Sequence, residues 1–296
     1  MIVSTGFFDG VHLGHRAVIG RLVSAAAERG DESMVVTFSP HPRNVLQDEA
    51  RNLRLLMSPD EKREMLHSLG VDHVEVVRFT KEFSRLSAEE YLKEYVVGRF
   101  GGKCILVGYD NRMGSDKLTP DELRATAEKL GIEVIVLGPA AKDNGAAVSS
   151  TRIREALSAG DAEAAASMLG YRYSLLGVTV AGNRLGRTIG FPTANIHLYD
   201  PLKLVPGNGV YAVEVETVGG HFHGMCNIGV RPTVASGNSV SIETNIFDFD
   251  EDIYGLDIRL SFVRKIREEM TFPSLEELRL QLERDRESCR AILDAV

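Results

Sequence analysis

The chain has 296 residues, with 34 basic against 42 acidic side chains and a formal net charge of −8. That length fits about two domains of roughly 100–200 residues, and 44% hydrophobic with 26% charged residues excludes a disordered chain, while the acidic balance disfavours bulk nucleic-acid binding, which runs on clustered positive charge. Three scattered cysteines, Cys104, Cys226 and Cys289, exclude a disulfide framework and a thiolate zinc site and fit a reducing cytoplasm, and neither a membrane-length apolar run nor a signal peptide is read from the sequence.

Short apolar runs at residues 3–5, 33–38, 73–79, 103–107 and 132–137 predict strands. Their lack of strict alternation suits burial on both faces, as in a parallel sheet. Helix starts punctuate them. Ser58-Pro59-Asp60-Glu61, Ser87-Ala88-Glu89-Glu90 and Thr119-Pro120-Asp121-Glu122 each fit the capping box. There the Ser or Thr oxygen accepts from the third helical N–H and the Glu accepts from the cap's own. Pro59 and Pro120 fall at the first helical position, where the missing donor costs nothing. Gly70 and Gly131 close two of the helices as left-handed caps. This β-α order, repeated from residue 3 to about 158, predicts a doubly wound α/β domain.

The pattern changes near Gly170. Residues 210–218 alternate, with Tyr211, Val213 and Val215 opposed by Ala212, Glu214 and Glu216, and residues 257–262 do the same. Period two with glycine-rich turns at 207–209 and 218–220 predicts antiparallel strands closing a barrel. Ser274-Leu275-Glu276-Glu277 opens a last helix, whose stripe of Leu275, Leu278, Leu282, Cys289 and Ile292 is predicted to lie against it. A boundary between about 159 and 173 gives domains 1–165 and 170–296.

In the first domain the opening strand runs into Gly6-Phe7-Phe8-Asp9-Gly10-Val11-His12-Leu13-Gly14-His15, and a helix follows. Two histidines three apart on a first helical turn share a face, where free N–H groups and the positive dipole end favour an anion. Gly14 removes a side chain that would block close approach of a phosphate. A glycine-rich turn with surface histidines is the plainer alternative; strand, loop, Asp9 and helix start in this order favour phosphate binding. Ser149-Ser150-Thr151-Arg152-Ile153-Arg154 offers a second anion cradle at a helix start, although a Ser cap with solvent-facing arginines would read the same. Gly108-Tyr109-Asp110-Asn111-Arg112 follows the fourth strand at its carboxyl end, so Asp110 and Arg112 can line the same cleft.

The segments GFFDGVHLGH (6–15), TFSPHP (37–42), GYDNRMG (108–114) and SSTRIR (149–154) resemble the adenylyltransferase half of bacterial bifunctional riboflavin kinase/FAD synthetases. GFPTAN (190–195), NIGVRPT (227–233), ETNIFDFDEDIYG (243–255) and IREEMTF (266–272) resemble its kinase half. The resemblance implies an HxGH nucleotidyltransferase domain of α/β doubly wound fold, followed by an antiparallel β-barrel with a C-terminal helix. It implies FMN formation from riboflavin and ATP in the second domain, and adenylyl transfer from ATP to FMN in the first. ATP is then a co-substrate and Mg²⁺ the metal, with neither a nucleic acid nor a membrane as partner and a monomer or weak oligomer as the working form.

Carried onto this sequence, the resemblance makes His12, His15 and Arg154 the donors to developing charge. Gly6, Phe8, Asp9, Gly14, Asp110, Arg112, Ser150 and Thr151 line the first nucleotide. Gly182, Gly186, Arg187 and Gly190 form the loop over the second. Thr193 and Asn195 offer neutral oxygens to Mg²⁺, and Phe191, Pro192, Arg267 and Phe272 contact the flavin. Strand alternation places Glu243 and Asn245 opposite Ile242, Thr244 and Ile246, so Glu243 can accept the ribityl hydroxyl proton. The family pattern carries an aromatic residue at Met113 and more often His at Asn245. The competing readings are a nucleotidyltransferase for another phosphorylated substrate with a flavin-binding, non-catalytic second domain, and a barrel that only senses flavin.

Overall fold

The computed structural model describes residues 1–46, 53–138, 142–143, 146–182, 185–233 and 237–295. The chain divides into two compact units, Met1–Ser150 and Thr151–Val296.

In the first unit β1 (Ile2–Thr5), β2 (Ser33–Ser39), β3 (His73–Arg78), β4 (Cys104–Gly108) and β5 (Glu133–Leu137) each lie within one residue of their predicted ends. They form an all-parallel sheet in the order β3-β2-β1-β4-β5. α1 (Leu13–Arg29), the short α2 (Pro42–Leu46), α3 (Pro59–Ser68), α4 (Ala88–Tyr91) and α5 (Pro120–Lys129) connect them. All three predicted capping boxes form with both bonds made, and Gly70 and Gly131 take φ values of 89° and 71°. α2 and a 3-10 turn at Phe83–Arg85 lie outside the sequence reading, as do two further features. α4 widens into a π-helix over Leu92–Arg99, and β6 (Lys142–Asp143) pairs with β7 (Ala146–Ala147) as a small hairpin. Strand order reverses between β1 and β4, so the crevice beyond their carboxyl ends is the switch point where such sheets bind ligands. The loop at 6–12 and the turn at 108–114 both open there.

The second unit starts within α6 (Ser150–Ala159) and continues through α7 (Ala162–Leu169), β8 (Ser174–Val180), α8 (Leu185–Thr188), β9 (Ala194–Leu198), β10 (Gly209–Thr217), β11 (Gly220–Thr233), β12 (Gly237–Ile246), β13 (Asp257–Arg267) and α9 (Leu275–Leu293). The six strands close an antiparallel barrel, β10-β11-β12-β9-β8-β13 and back to β10. Tyr211, Val213 and Val215 face the barrel core, as their alternation requires, but Ala212 is buried as well. It lies under α9 in a second core with Phe191, Val210, Met225, Phe247, Cys289 and Leu293.

Contacts group α6 and α7 with the barrel: α7 packs on β13 and the Gly207 amide donates to the Leu157 carbonyl of α6 at 2.8 Å. Two expectations change. Leu275 is 54% exposed: it is the first residue of α9, and the stripe reaches cover only from Leu278 and Leu282 onward. Ser274 caps α9 by accepting from the Glu277 amide, but without the return bond that completes a box.

Candidate active sites

The loop leaving β1 is held in a strained shape. Phe8 and Val11 have φ values of 51° and 36°, a left-handed region that typically costs non-glycine residues about 1–3 kcal/mol each. A side chain at Gly6 would place its Cβ 2.9 Å from the Phe8 ring, so that ring would have to move aside. Four anchors fix the shape. The Asp9 carboxylate, 2% exposed, accepts from the Leu56 amide at 3.1 Å and the Met57 amide at 3.2 Å. Ser150 Oγ donates to the Asp9 carbonyl at 2.9 Å. Thr37 Oγ1 at 3.0 Å and Lys62 Nζ at 2.7 Å both donate to the Phe7 carbonyl. Asp9, expected to line the nucleotide, therefore turns its buried carboxylate to the backbone at 56–57.

The loop delivers His12 as the N-cap of α1, its Nδ1 accepting from the His15 amide at 3.3 Å. The two rings stack with centroids 3.6 Å apart, and Phe8 meets His15 edge-on at 5.3 Å. Burial pushes the His12 pKa down to about 4. The same burial, with the nearby His12 and Lys62, holds His15 well below the usual imidazole value. Both are neutral at pH 7, and because His12 Nδ1 accepts, its proton sits on Nε2, which is left as a donor. His15 Nδ1 is buried with no hydrogen-bond partner among the described residues. A Cβ at Gly14 would stand 3.2 Å from the His12 ring, so the glycine also leaves room for that imidazole.

Beside this loop opens a cavity of about 550 Å³ walled by Phe38, Phe79, Phe83, Tyr91, Met113 and the backbone at Thr5-Gly6. Asn111, Arg112, Ser115 and Lys117 bring polar atoms to it. Asp110 is exposed in the turn after β4, and Arg112 Nη1 donates to the Asn111 carbonyl at 2.8 Å. Thr151, Arg152 and Arg154 follow Ser150 on α6, on the second unit's side of the division.

The barrel carries two adjoining cavities that share Thr193. One, of about 240 Å³, is lined by Thr179, Pro192, Thr193, Thr244 and the acidic run at 250–252. The other, of about 340 Å³, is lined by Phe191, Thr193, Glu243, Asn245, Arg267 and Phe272. Alternation along β12 sorts its residues, with Glu243 and Asn245 on the second cavity and Thr244 and Ile246 on the first. Register places Asn195 of β9 opposite Glu243. Asn245 Nδ2 donates to the Pro192 carbonyl at 2.7 Å, fixing the segment that carries Thr193. Pro192, expected beside Phe191 on the flavin, lines the other cavity. Gly182 lies so close that a Cβ would come 2.0 Å from the Asn195 amide, and one at Gly186 would come 2.1 Å from the Phe191 carbonyl. Gly190 has φ of 82°. Asn183, Arg184 and the Arg187 side chain lie outside the described residues.

The FAD synthetase family model matches residues 1–152 and the riboflavin kinase family model residues 169–293. The bifunctional riboflavin kinase/FMN adenylyltransferase of Bacillus subtilis is 36% identical over 293 residues, covering 97% of this chain and 90% of that one. That of Escherichia coli K12 is 37% identical, covering 98% and 91%. The chain belongs to the bifunctional riboflavin kinase/FMN adenylyltransferases. A solved Streptococcus pneumoniae structure titled a macrolide-efflux protein superposes with TM-score 0.91 at 34% identity, covering 98% of this chain and 93% of that one.

Within this family frame, sequence reasoning missed three things. The aromatic cavity of the FAD synthetase half is assembled from β2, the segment at 79–86, α4 and the turn after β4, which no local pattern links. Lys62 sits 3% exposed beneath the loop, its Nζ 3.9 Å from the Phe7 ring centroid, and burial lowers its pKa to about 8. In the riboflavin kinase half, Asp285 is equally buried and clamps Arg267. The charge-rich strings around both residues read as ordinary solvated helix faces.

Proposed function

We propose that the barrel unit transfers the γ-phosphoryl group of ATP to the terminal ribityl hydroxyl of riboflavin, and that the parallel-sheet unit transfers the adenylyl group of a second ATP to FMN. One observation carries the kinase assignment: Thr193 is common to two cavities, with Glu243 on one and Asn195 in register beside it. Two substrates held side by side with a carboxylate and neutral oxygens at the seam is the arrangement an in-line phosphoryl transfer needs.

Riboflavin takes the larger cavity, its ring against Phe191, Arg267 and Phe272, and ATP the smaller; Gly186 lines the larger cavity. Glu243 accepts the ribityl proton as that oxygen attacks the γ-phosphorus and the bond to ADP breaks. Thr193 and Asn195 fit Mg²⁺ in donor chemistry, since both carry hard, neutral side-chain oxygens, and Gly182 lets the backbone approach the Asn195 amide, which a Cβ there would meet at 2.0 Å. When bound, Mg²⁺ neutralises charge on the phosphate oxygens.

In the other unit an FMN phosphate oxygen attacks the α-phosphorus and pyrophosphate leaves, so no protein nucleophile is required. His12, through Nε2–H, and His15 donate to the phosphate oxygens as charge builds. The aromatic cavity around Phe38 and Tyr91 takes the isoalloxazine ring. The three cysteines are buried and free, in keeping with a cytoplasmic site of action. Among the described residues no helix is long and apolar enough to cross a membrane, and nothing in the geometry favours an efflux role.

The test is incubation of the purified chain with riboflavin, ATP and Mg²⁺, with flavins resolved by chromatography. FMN followed by FAD is expected. FMN alone would remove the adenylyltransferase assignment. FAD formed only from supplied FMN would favour the reading in which the barrel merely binds flavin.

A further inference from the structure

Arg267 reaches the larger barrel cavity from the end of β13, but its orientation is set from α9. Its Nε donates to Asp285 Oδ1 at 2.9 Å and Oδ2 at 3.0 Å, and its Nη2 to Oδ2 at 2.6 Å. Nη1 donates to the Glu268 carbonyl at 2.8 Å. Gln281, one helical turn before Asp285, donates its Nε2 to Oδ1 at 2.9 Å. Asp285 is 3% exposed and is not among the residues lining the cavity. Of the five guanidinium N–H groups, three are thus engaged, and one on each Nη has no partner among the described residues.

We infer that Asp285, with Gln281 behind it, is a positioning residue of the kinase site: it locks the planar Arg267 fork so that its two remaining N–H groups serve the flavin. The inference rests on the assignment of this cavity to riboflavin. A guanidinium gripped along one edge loses rotamer freedom before the substrate arrives, so less is lost when the flavin binds. The acceptors it suits are neutral oxygens such as the ring carbonyls, because the Arg267 charge is already balanced by Asp285. The effect belongs to ground-state binding of riboflavin and therefore to KM rather than kcat.

The experiment is a double-mutant cycle on the full chain with Arg267→Ala, Asp285→Asn and both, reading kcat and KM for riboflavin. Arg267→Ala alone tests the cavity assignment; an unchanged riboflavin KM there removes that assignment. Asp285→Asn is expected to raise KM about tenfold, the size of one charge-assisted hydrogen bond, with kcat within about threefold. The double variant should be no worse than Arg267→Ala, because Asp285 acts only through Arg267. A KM near the parent value for Asp285→Asn, or penalties that add in the cycle, overturns the inference while leaving the cavity assignment standing. If Asp285→Asn does not fold, Gln281→Leu replaces it. That variant loses a single support of the carboxylate, so about a two- to threefold rise in KM is expected and an unchanged KM refutes the role.

Discussion

Replacing His12 with asparagine separates the jobs that one imidazole performs. As the N-cap of α1 its Nδ1 accepts the His15 amide; asparagine ranks among the best N-caps, so the helix start is retained. The linkage to protons is not. Burial holds the folded His12 at about 4, against about 6.5 for an unfolded histidine. Between those values the unfolded chain binds a proton that the folded chain refuses, so stability is full above pH 6.5 and falls as pH drops toward 4. At 1.36 kcal/mol per unit the loss is about 3 kcal/mol across the window and about 2 kcal/mol by pH 5. The variant has no such proton, so the parent should lose more stability than His12→Asn between pH 7 and pH 5, measured by denaturant unfolding of the first unit. FAD formation from supplied FMN should fall by about 10²- to 10³-fold, since a donor aimed at developing charge is removed. Riboflavin phosphorylation should be untouched. Because the ring is already neutral, the parent's kcat/KM for adenylyl transfer should stay level from pH 7 to pH 8. A required imidazolium would instead lose about tenfold per unit above pH 6.5. Parent-like FAD synthesis by the variant, or identical acid sensitivity in the two proteins, would refute the reasoning.

Glu243→Gln should lower FMN formation by about 10²- to 10⁴-fold while FAD formation from FMN persists; single-turnover kinetics showing parent chemistry would exclude Glu243 as the base. Gly186→Ala should reduce kinase turnover at least about tenfold, since its Cβ meets the Phe191 carbonyl at 2.1 Å, and parent-like kcat and KM would show that the turn opens freely. Lys62, held at about 8 by burial, stays neutral in the fold between pH 8 and about 10.5 while the unfolded chain keeps its proton, so stability gains through that window. The gain should disappear in Lys62→Met, read as the difference between the two proteins' urea midpoints because cysteines and tyrosines also titrate there. A fragment starting at Thr151 should melt higher than one starting at Gly170, which lacks the α7 side chains Ala165, Met168 and Leu169, all buried. Equal melting temperatures would place those helices outside the barrel's stability.

What could be read in advance was whatever is encoded locally. Capping boxes are four-residue statements, and all three in the first unit formed. A buried parallel strand is a short apolar run, and β1 to β5 fell where those runs lie. The loop through His12 was legible because glycines, histidines and a strand end stand together in the chain. Glu243 was placed on the correct face because alternation needs no knowledge of the partner strand. Lys62 and Asp285 escaped for the opposite reason: each lies among charged neighbours, and only distant backbone or the far end of β13 makes its burial worthwhile. Asp9 was noticed, but its carboxylate answers amides some 47 residues away. Ala212 looked solvent-facing until α9 supplied its cover, and helices α6 and α7 joined the barrel through packing that no linker composition announces.

The order in which the strands pair dictates a timetable for synthesis. Every strand of the parallel sheet has left the ribosome's active centre once Leu137 is made, so the first unit can assemble while the remainder is still being translated. The barrel cannot. Its first strand, β8, must pair with its last, β13, and β13 must also flank β10. At about 5–20 residues per second, the roughly 130 residues from Leu137 to Arg267 take on the order of 10 s to appear. Once β8 ends at Val180, its edge toward β13 stays unpaired for the remainder of that time. A ribosome that stalls within this stretch releases a chain with a finished sheet and an open barrel, and quality control would meet this enzyme in that form.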